Sequence, residues 1–115
     1  MINIRIFSDQ ANQIQALEVS GHAGYAEHGS DIVCAAVSSQ VISVENSLHH
    51  LLQLDVQTQV DEVEGGYLKL TLPEITAKTT KQEAQLLLRH LDFALSVLAE
   101  SYPEYIQMNY SKLTQ

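Results

Sequence analysis

Residues 20–38 read SGHAGYAEHGSDIVCAAVS, in which a glycine-rich loop leads directly into an apolar run. The stretch holds three of the five glycines, two of the five histidines and Cys34, the only cysteine of the chain. Ser30 and Asp31 are both good N-cap residues for a helix. We therefore predict that a strand ends at Gly21 and that a helix begins near Ser30 or Asp31, with Cys34 in its first turn.

Two strands are predicted before this stretch. Isoleucine occupies positions 2, 4 and 6, which places one face of a strand at residues 2–7 in a core. Residues 13–20 form the second predicted strand, with Leu17 and Val19 on one face. Only the polar segment 8–12 separates the two strands, and so short a connection favours an antiparallel hairpin.

The first predicted helix extends to about residues 52–54. Its apolar side chains recur at steps of three and four, which is typical of a helix with one buried face. That face carries Val33, Val37, Val41, Val44, Leu48 and Leu51. Alternating residues at 56–61 and 67–72 then predict two more strands, and Gly65-Gly66 between them is a strong hairpin signal.

A second helix is predicted between Thr80 and Pro103. Thr80 and Glu83 have the spacing of a capping box, and proline cannot continue a helix. The face expected to be buried carries Ala84, Leu87, Leu88, Leu91, Leu95 and Leu98. Residues 105–110 are predicted to form a last strand.

The predicted order is therefore strand, strand, helix, strand, strand, helix, strand. We expect an α+β fold in two layers, with both helices on one face of a largely antiparallel or mixed sheet. Residues 1–115 are expected to form a single domain, because no linker or low-complexity segment divides them and this length supports one core. The order of the strands within the sheet does not follow from the pattern.

Charge and composition narrow the class of protein. The formal net charge is −8, which argues against direct binding to nucleic acid and favours a basic partner. One cysteine cannot form an intrachain disulfide, and residues 1–7 lack the pattern of a signal peptide. No apolar run approaches the roughly 20 residues of a membrane span. We therefore expect a cytoplasmic protein with no membrane partner.

Cys34 is the candidate nucleophile. A thiol reacts as the thiolate, and the positive end of a helix N-terminus favours that form. His22 lies one short loop away and can supply both an imidazolium and a general base. We expect backbone N–H groups near Cys34 to stabilise the oxyanion of a tetrahedral intermediate.

Other loop and helix residues are candidates for supporting roles. Asp31 could cap the helix near Cys34 or hold His22 in its useful tautomer, and its spacing favours the cap. Ser38 lies one helical turn beyond Cys34, where it could hydrogen-bond near the thiol or simply allow close packing. Three glycines could make turns or act as hinges that let the loop open for substrate: Gly21, Gly24 and Gly29.

Two other interpretations of these residues are open. A lone cysteine on an apolar helix is more often a small buried hydrophobe than a nucleophile. His22, His28, Asp31 and Cys34 are all metal-ligand types. A single sulfur and the lack of a paired-ligand motif rank a metal site below thiol catalysis, and we expect no cofactor.

The chain resembles the bacterial ribosomal-processing cysteine proteases, the Prp family. The matching residues are Gly21-His22-Ala23 and, after a glycine-containing loop, GSDIVCAAVS at residues 29–38. GYLKL at residues 66–70 is similar to the family as well. The specific part of the match covers residues 21–38, and length and element order agree over the whole chain.

That resemblance implies a function. Members of the family remove a short N-terminal extension, apolar and ending in an aromatic residue, from a large-subunit ribosomal protein, the twenty-seventh of its series. By the motif match, Cys34 is the nucleophile, His22 its base and Asp31 a supporting residue. The resemblance also implies a homodimer and a loop over residues 23–30 that covers the site and moves to admit substrate.

We therefore expect a cysteine endopeptidase that matures a ribosomal protein. A basic ribosomal substrate suits the acidic net charge. Two alternatives are a ribosome-associated binding module without catalytic activity and a small metal-binding protein that uses the same histidine, aspartate and cysteine cluster.

Overall fold

A computed structural model of the chain describes residues 1–24, 26, 31–61 and 66–114. Within them, the elements follow the predicted order: β1 (Ile2–Ser8), β2 (Ile14–Ser20), α1 (Ile32–His50), β3 (Gln57–Val60), β4 (Tyr67–Thr71), α2 (Lys78–Ser101) and β5 (Ile106–Lys112). Each predicted strand is found within two residues of its predicted bounds. The hairpin turn predicted at Gly65-Gly66 lies partly outside the described residues, which include only Gly66 of the pair.

The five strands form one mixed sheet in the order β3-β4-β2-β1-β5. Three neighbouring pairs are antiparallel, and both predicted hairpins are among them. β5 runs parallel to β1, with Ile106 beside Ile2 and Lys112 beside Ser8. This last pairing makes the sheet mixed rather than purely antiparallel, so the predicted fold class is confirmed.

Both helices pack against the apolar face of the sheet. Ile4, Leu17 and Leu70 on three neighbouring strands are at most 2% exposed, because period-two alternation turns them toward the helices. One core cluster joins these strand residues to buried side chains of α1 and α2. On the same strand as Ile4, Asn3 and Arg5 are exposed on the opposite face.

α1 has the predicted buried face except at its end. Val33, Val37, Val41, Val44 and Leu48 are buried as predicted. Leu51 is 72% exposed, so its predicted burial was wrong. α1 ends at His50, and the chain then turns through Gln53, whose φ of 55° departs from the helix. Leu51 keeps helical backbone angles as the C-cap, with its N–H bonded to the Ser47 carbonyl, so its exposure comes from its place at the very end of the helix.

The predicted start of α2 was also wrong. The helix begins at Lys78 with Ala77 as its N-cap, and no side chain caps it. Thr80 therefore lies inside the first turn. A tertiary contact holds this end of the helix instead, because the Gln85 amide donates to and accepts from the Ile14 backbone at 2.8 Å each. Local cap signals give way here to pairing with β2.

α2 has the predicted buried face along its middle. Ala84, Leu88, Leu91 and Leu95 are buried, while Leu87 and Leu98 are half-buried against the core. The helix ends at Ser101, before Pro103 as predicted. Within the described ranges, neither helix has the combined length and apolarity that crossing a membrane requires.

Candidate active site

The predicted site residues that the structure describes line a single cavity of about 670 Å³. Its walls come from the end of β2, the start of α1 and the β3–β4 hairpin. His22, Asp31, Cys34 and Ser38 all line it. The residues that the sequence proposed for one chemistry are therefore brought together in space.

The predicted hinge glycines are only partly described. Gly21 and Gly24 line the cavity with positive φ values of 87° and 71°, which glycine adopts at no steric cost. Gly29 lies outside the described residues, and so does His28. Among the residues that the structure describes, no group of three or more histidine, cysteine, aspartate and glutamate side chains could hold a metal ion.

Cys34 lies in the first turn of α1, as predicted. Its side chain is half-buried and packs against the core. The backbone N–H of Ala23 donates to Sγ over 3.4 Å. Because Ala23 directly follows His22, this contact ties the histidine segment to the thiol.

Asp31 caps the helix that carries Cys34. Its Oδ1 accepts from the backbone N–H of Val33 at 2.9 Å and of Cys34 at 3.0 Å. Its Oδ2 accepts from the N–H of Ala26 at 3.4 Å. The carboxylate is 8% exposed, and buried polar groups are stable only when hydrogen-bonded in this way. The predicted cap is confirmed.

That cap has a consequence for the oxyanion. The N–H groups of Val33 and Cys34 donate to the side chain of Asp31, and the N–H of Ala35 donates to its carbonyl at 3.0 Å. These are the backbone amides expected to stabilise a tetrahedral intermediate. In this structure all three N–H groups donate to Asp31, so the structure does not show them available to an oxyanion.

His22 follows the last residue of β2 by two positions and is exposed. A backbone hydrogen bond from Gly21 N–H to the Gly66 carbonyl, 2.8 Å long, joins this segment to the start of β4. The imidazole lies so close to Gly66 that a Cβ there would be 2.5 Å from Nε2. Gly66 is thus part of the site.

Tyr67 is a further wall of the cavity. Its hydroxyl donates to Oε2 of Glu18 over 2.8 Å. This hydrogen bond, helped by burial and by the negative charge of Glu18, raises the pKa of Tyr67 above its ordinary value of 10.0. The phenol therefore stays neutral and keeps its donor at neutral pH.

Sequence reasoning assigned no role at the site to Gly66, and it left Tyr67 open between lining a hydrophobic pocket and ordinary packing. The signal that could have found them is the GYLKL match at residues 66–70, which lies outside the main motif. Ser38 lines the cavity as an exposed residue of α1. Its place beyond Cys34 on the cavity side agrees with the predicted spacing.

Comparison with known proteins gives one family. The family model for cysteine protease Prp matches residues 1–107. A Bacillus subtilis relative, named ribosomal processing cysteine protease Prp, is 31% identical over 108 residues, which are 94% of this chain and 96% of the relative.

Solved structures agree with that match. The essential ribosomal processing protease Prp of Staphylococcus aureus, in complex with a covalently linked product peptide, is 29% identical with a TM-score of 0.84. The same protease with a substrate peptide is 28% identical with a TM-score of 0.79. Each comparison covers 96% of this chain and 99% of the other. The chain is a cysteine-type peptidase and belongs to the Prp family of cysteine proteases.

Proposed function

We propose that this peptidase removes the N-terminal extension of a large-subunit ribosomal protein, the twenty-seventh of its series, during ribosome maturation. The observation that carries the proposal is the N–H contact from Ala23 to Sγ of Cys34, in a cavity also lined by His22. The Bacillus subtilis relative carries ribosomal processing in its name, which supports the choice of substrate.

Cys34 and His22 are the proposed catalytic pair. The Cys34 thiolate attacks the scissile carbonyl, and the tetrahedral intermediate collapses to a thioester as the imidazolium of His22 gives its proton to the leaving amine. Water then attacks the thioester, and His22 accepts its proton. Release of the carboxylate product restores the thiolate, so that neither cofactor nor metal is consumed.

Asp31 and Ser38 are proposed as supporting residues. Asp31 fixes the first turn of α1 through its bonds to Val33 and Cys34, and its Oδ2 also holds Ala26 of the loop. Ser38 faces the same cavity. Gly21, Gly24 and Gly29 are proposed to let the loop over residues 23–30 move when substrate enters.

The cavity and the charge of the chain both suit the proposed substrate. Val19, Val60 and Leu68 give the cavity an apolar wall, which matches an apolar extension that ends in an aromatic residue. The net charge of −8 attracts a basic ribosomal protein and repels nucleic acid. Direct binding to nucleic acid is accordingly not part of the proposal.

We also propose a homodimer that works in the cytoplasm. The family resemblance supports it, and so does one face of α2, where Leu86, Phe93 and Val97 are 60%, 70% and 45% exposed. These residues lie on one side of the helix and give a second copy an apolar surface to cover. Sedimentation of the purified protein at increasing concentration tests this part, and a monomer at all concentrations would contradict it.

The experiment that tests the substrate compares two forms of the same ribosomal protein. The host protein with its extension should lose it on incubation with the peptidase, which intact-mass spectrometry detects as one new species. The control form begins at the mature residue and should keep its mass. A third form, in which the aromatic residue before the cut is changed to glycine, should be cleaved far more slowly.

Two outcomes would overturn the proposal in different ways. Tight binding of the extended protein with no change in its mass would favour a ribosome-associated binding module. Cleavage of unrelated apolar peptides, with the extended protein left intact, would keep the thiol chemistry and reject this substrate.

A further inference from the structure

We propose that Gly66 is a positioning residue for His22. The imidazole occupies the space that a Cβ on Gly66 would fill, and a side chain at this position would displace the ring from its place in the cavity. The inference deepens the proposed function and rests on His22 acting as the base. Nothing in the main motif at residues 21–38 points to Gly66, since it belongs to the other hairpin.

A side chain at position 66 would clash with the imidazole of His22. A Cβ built on Gly66 would lie 2.5 Å from Nε2 of His22, 3.0 Å from Cε1 and 3.1 Å from Cδ2. The optimal separation of non-bonded heavy atoms is about 3.5–4.0 Å. The ring or the backbone would therefore have to move by about 1 Å to accept even a methyl group.

The backbone at Gly66 and at Gly21 is held in place by its neighbours. Gly66 accepts a 2.8 Å hydrogen bond from the N–H of Gly21, and Tyr67 pairs with Ser20 across the sheet. Gly21 is packed in turn against the carbonyl of Met1, where an added Cβ would lie 2.3 Å from the oxygen. The exposed imidazole can move more easily than these hydrogen-bonded strand ends. We therefore expect the ring of His22, and not the backbone, to be displaced.

The backbone of Gly66 lies in a region that favours glycine. Gly66 has a φ of 73°, so a substitution also strains the backbone. Asparagine tolerates this region better than alanine does. Comparing Gly66→Ala with Gly66→Asn therefore separates the two effects, because both variants add a Cβ and only alanine carries the larger backbone penalty.

The consequence for catalysis follows from the geometry of proton transfer. A general base must lie within about 2.6–3.2 Å of the proton's donor, and a 1 Å misplacement costs on the order of 100-fold. We expect Gly66→Ala and Gly66→Asn each to lower kcat by about 100-fold while KM changes little. A side chain that merely blocked substrate would raise KM instead.

The test is a double-mutant cycle with His22→Ala in the full-length chain. Unfolding in urea measures the contact directly: Gly66→Ala should destabilise the protein less when His22 is already alanine. Gly24→Ala is the control for backbone strain in these unfolding measurements, because its φ is 71° and none of the described residues lies within 4 Å of the added Cβ. Gly24→Ala should show no coupling to His22→Ala.

The rate of Cys34 alkylation by iodoacetamide, at about pH 6.5, completes the cycle. Gly66→Asn should slow the reaction as His22→Ala does, and the double variant should be no slower than either. The proposal would be overturned if Gly66→Asn kept the wild-type kcat and the wild-type rate of Cys34 alkylation. It would also be overturned if the unfolding free energies of Gly66→Ala and His22→Ala were additive in the double variant. If Cys34 in His22→Ala were alkylated at the wild-type rate, the result would count against the proposed catalytic pair. The unfolding cycle would still decide whether Gly66 positions the ring.

Discussion

The backbone N–H of Ala23 points at Sγ of Cys34 across 3.4 Å. This contact joins the segment after β2, which carries His22, to the first turn of α1. The Asp31 cap holds the same turn from the other side through Val33 and Cys34. The thiol is therefore held by two backbone segments, and in the sequence only the loop lies between them.

Removing the base should nearly abolish cleavage. His22→Ala is expected to lower kcat/KM by about 10²–10⁴-fold, which is the usual contribution of general acid–base catalysis. The matched control is His90→Ala, since His90 is exposed on α2 and lies away from the residues that line the cavity. Cleavage rates of the extended ribosomal protein check this, and equal rates in the two variants would contradict it.

Asp31 variants should separate capping from charge. Asp31→Ala removes the acceptor for three N–H groups and should cost about 1 kcal/mol of unfolding free energy. Asp31→Asn keeps the Oδ1 acceptor of the cap and loses only the long bond from the Ala26 N–H, so it should stay near wild type in both stability and cleavage. Urea unfolding and cleavage assays of both variants give the comparison. A stable Asp31→Asn that fails to cleave would show that the charge of Asp31, rather than its cap, is required.

Two leucines three positions apart on α1 and at its C-cap should differ sharply. Leu48 is fully buried and Leu51 is 72% exposed. Leu48→Ala should cost about 2–5 kcal/mol because it leaves a cavity in the core. Leu51→Ala should change stability by no more than about 0.5 kcal/mol. Urea unfolding measures both, and comparable losses would contradict the observed end of α1.

Asp9 should make part of the stability depend on acid pH. A hydrogen bond from the Gln13 N–H, with smaller help from Ala11, Gln15 and Lys112 and against the effect of burial, holds the pKa of Asp9 below its ordinary value of 3.8. A depressed pKa stabilises the fold above 3.8, and this contribution is lost as the pH falls through the lower folded value.

Asp9→Asn keeps an oxygen acceptor but carries no charge, so it isolates this effect. The melting temperatures of wild type and Asp9→Asn should differ most at neutral pH and converge in strong acid. A difference that stays constant from neutral to acid pH would show that Asp9 does not titrate differently in the folded state.

Much of the fold could be predicted because its signals are local. Alternation identified every strand that the structure describes, and the valine stripe identified the buried face of α1. The strand order could not be predicted, because β1 and β5 pair across about a hundred residues of chain. The exposure of Leu51 and the start of α2 were missed for a related reason, since they depend on where the helix ends and on a tertiary contact rather than on the local pattern.

The site divides in the same way. Cys34, His22 and the Asp31 cap lie within one short stretch, where helix-start rules and residue chemistry apply directly. Gly66 and Tyr67 reach the cavity from the second hairpin, and their closeness to His22 and Glu18 depends on how β2 and β4 pair. A hairpin turn fixes the register of the two strands that it joins, but β2 and β4 are separated by α1 and β3.

The role of Cys34 as the nucleophile is tested most directly by incubating the extended ribosomal protein with Cys34→Ala. We expect no product by intact-mass spectrometry, together with a circular dichroism spectrum and a cooperative melt that match a folded wild type. Cys34 is half-buried, so the loss of one sulfur leaves the core in place. Cleavage by Cys34→Ala at the wild-type rate would contradict the central claim that this thiol is the nucleophile.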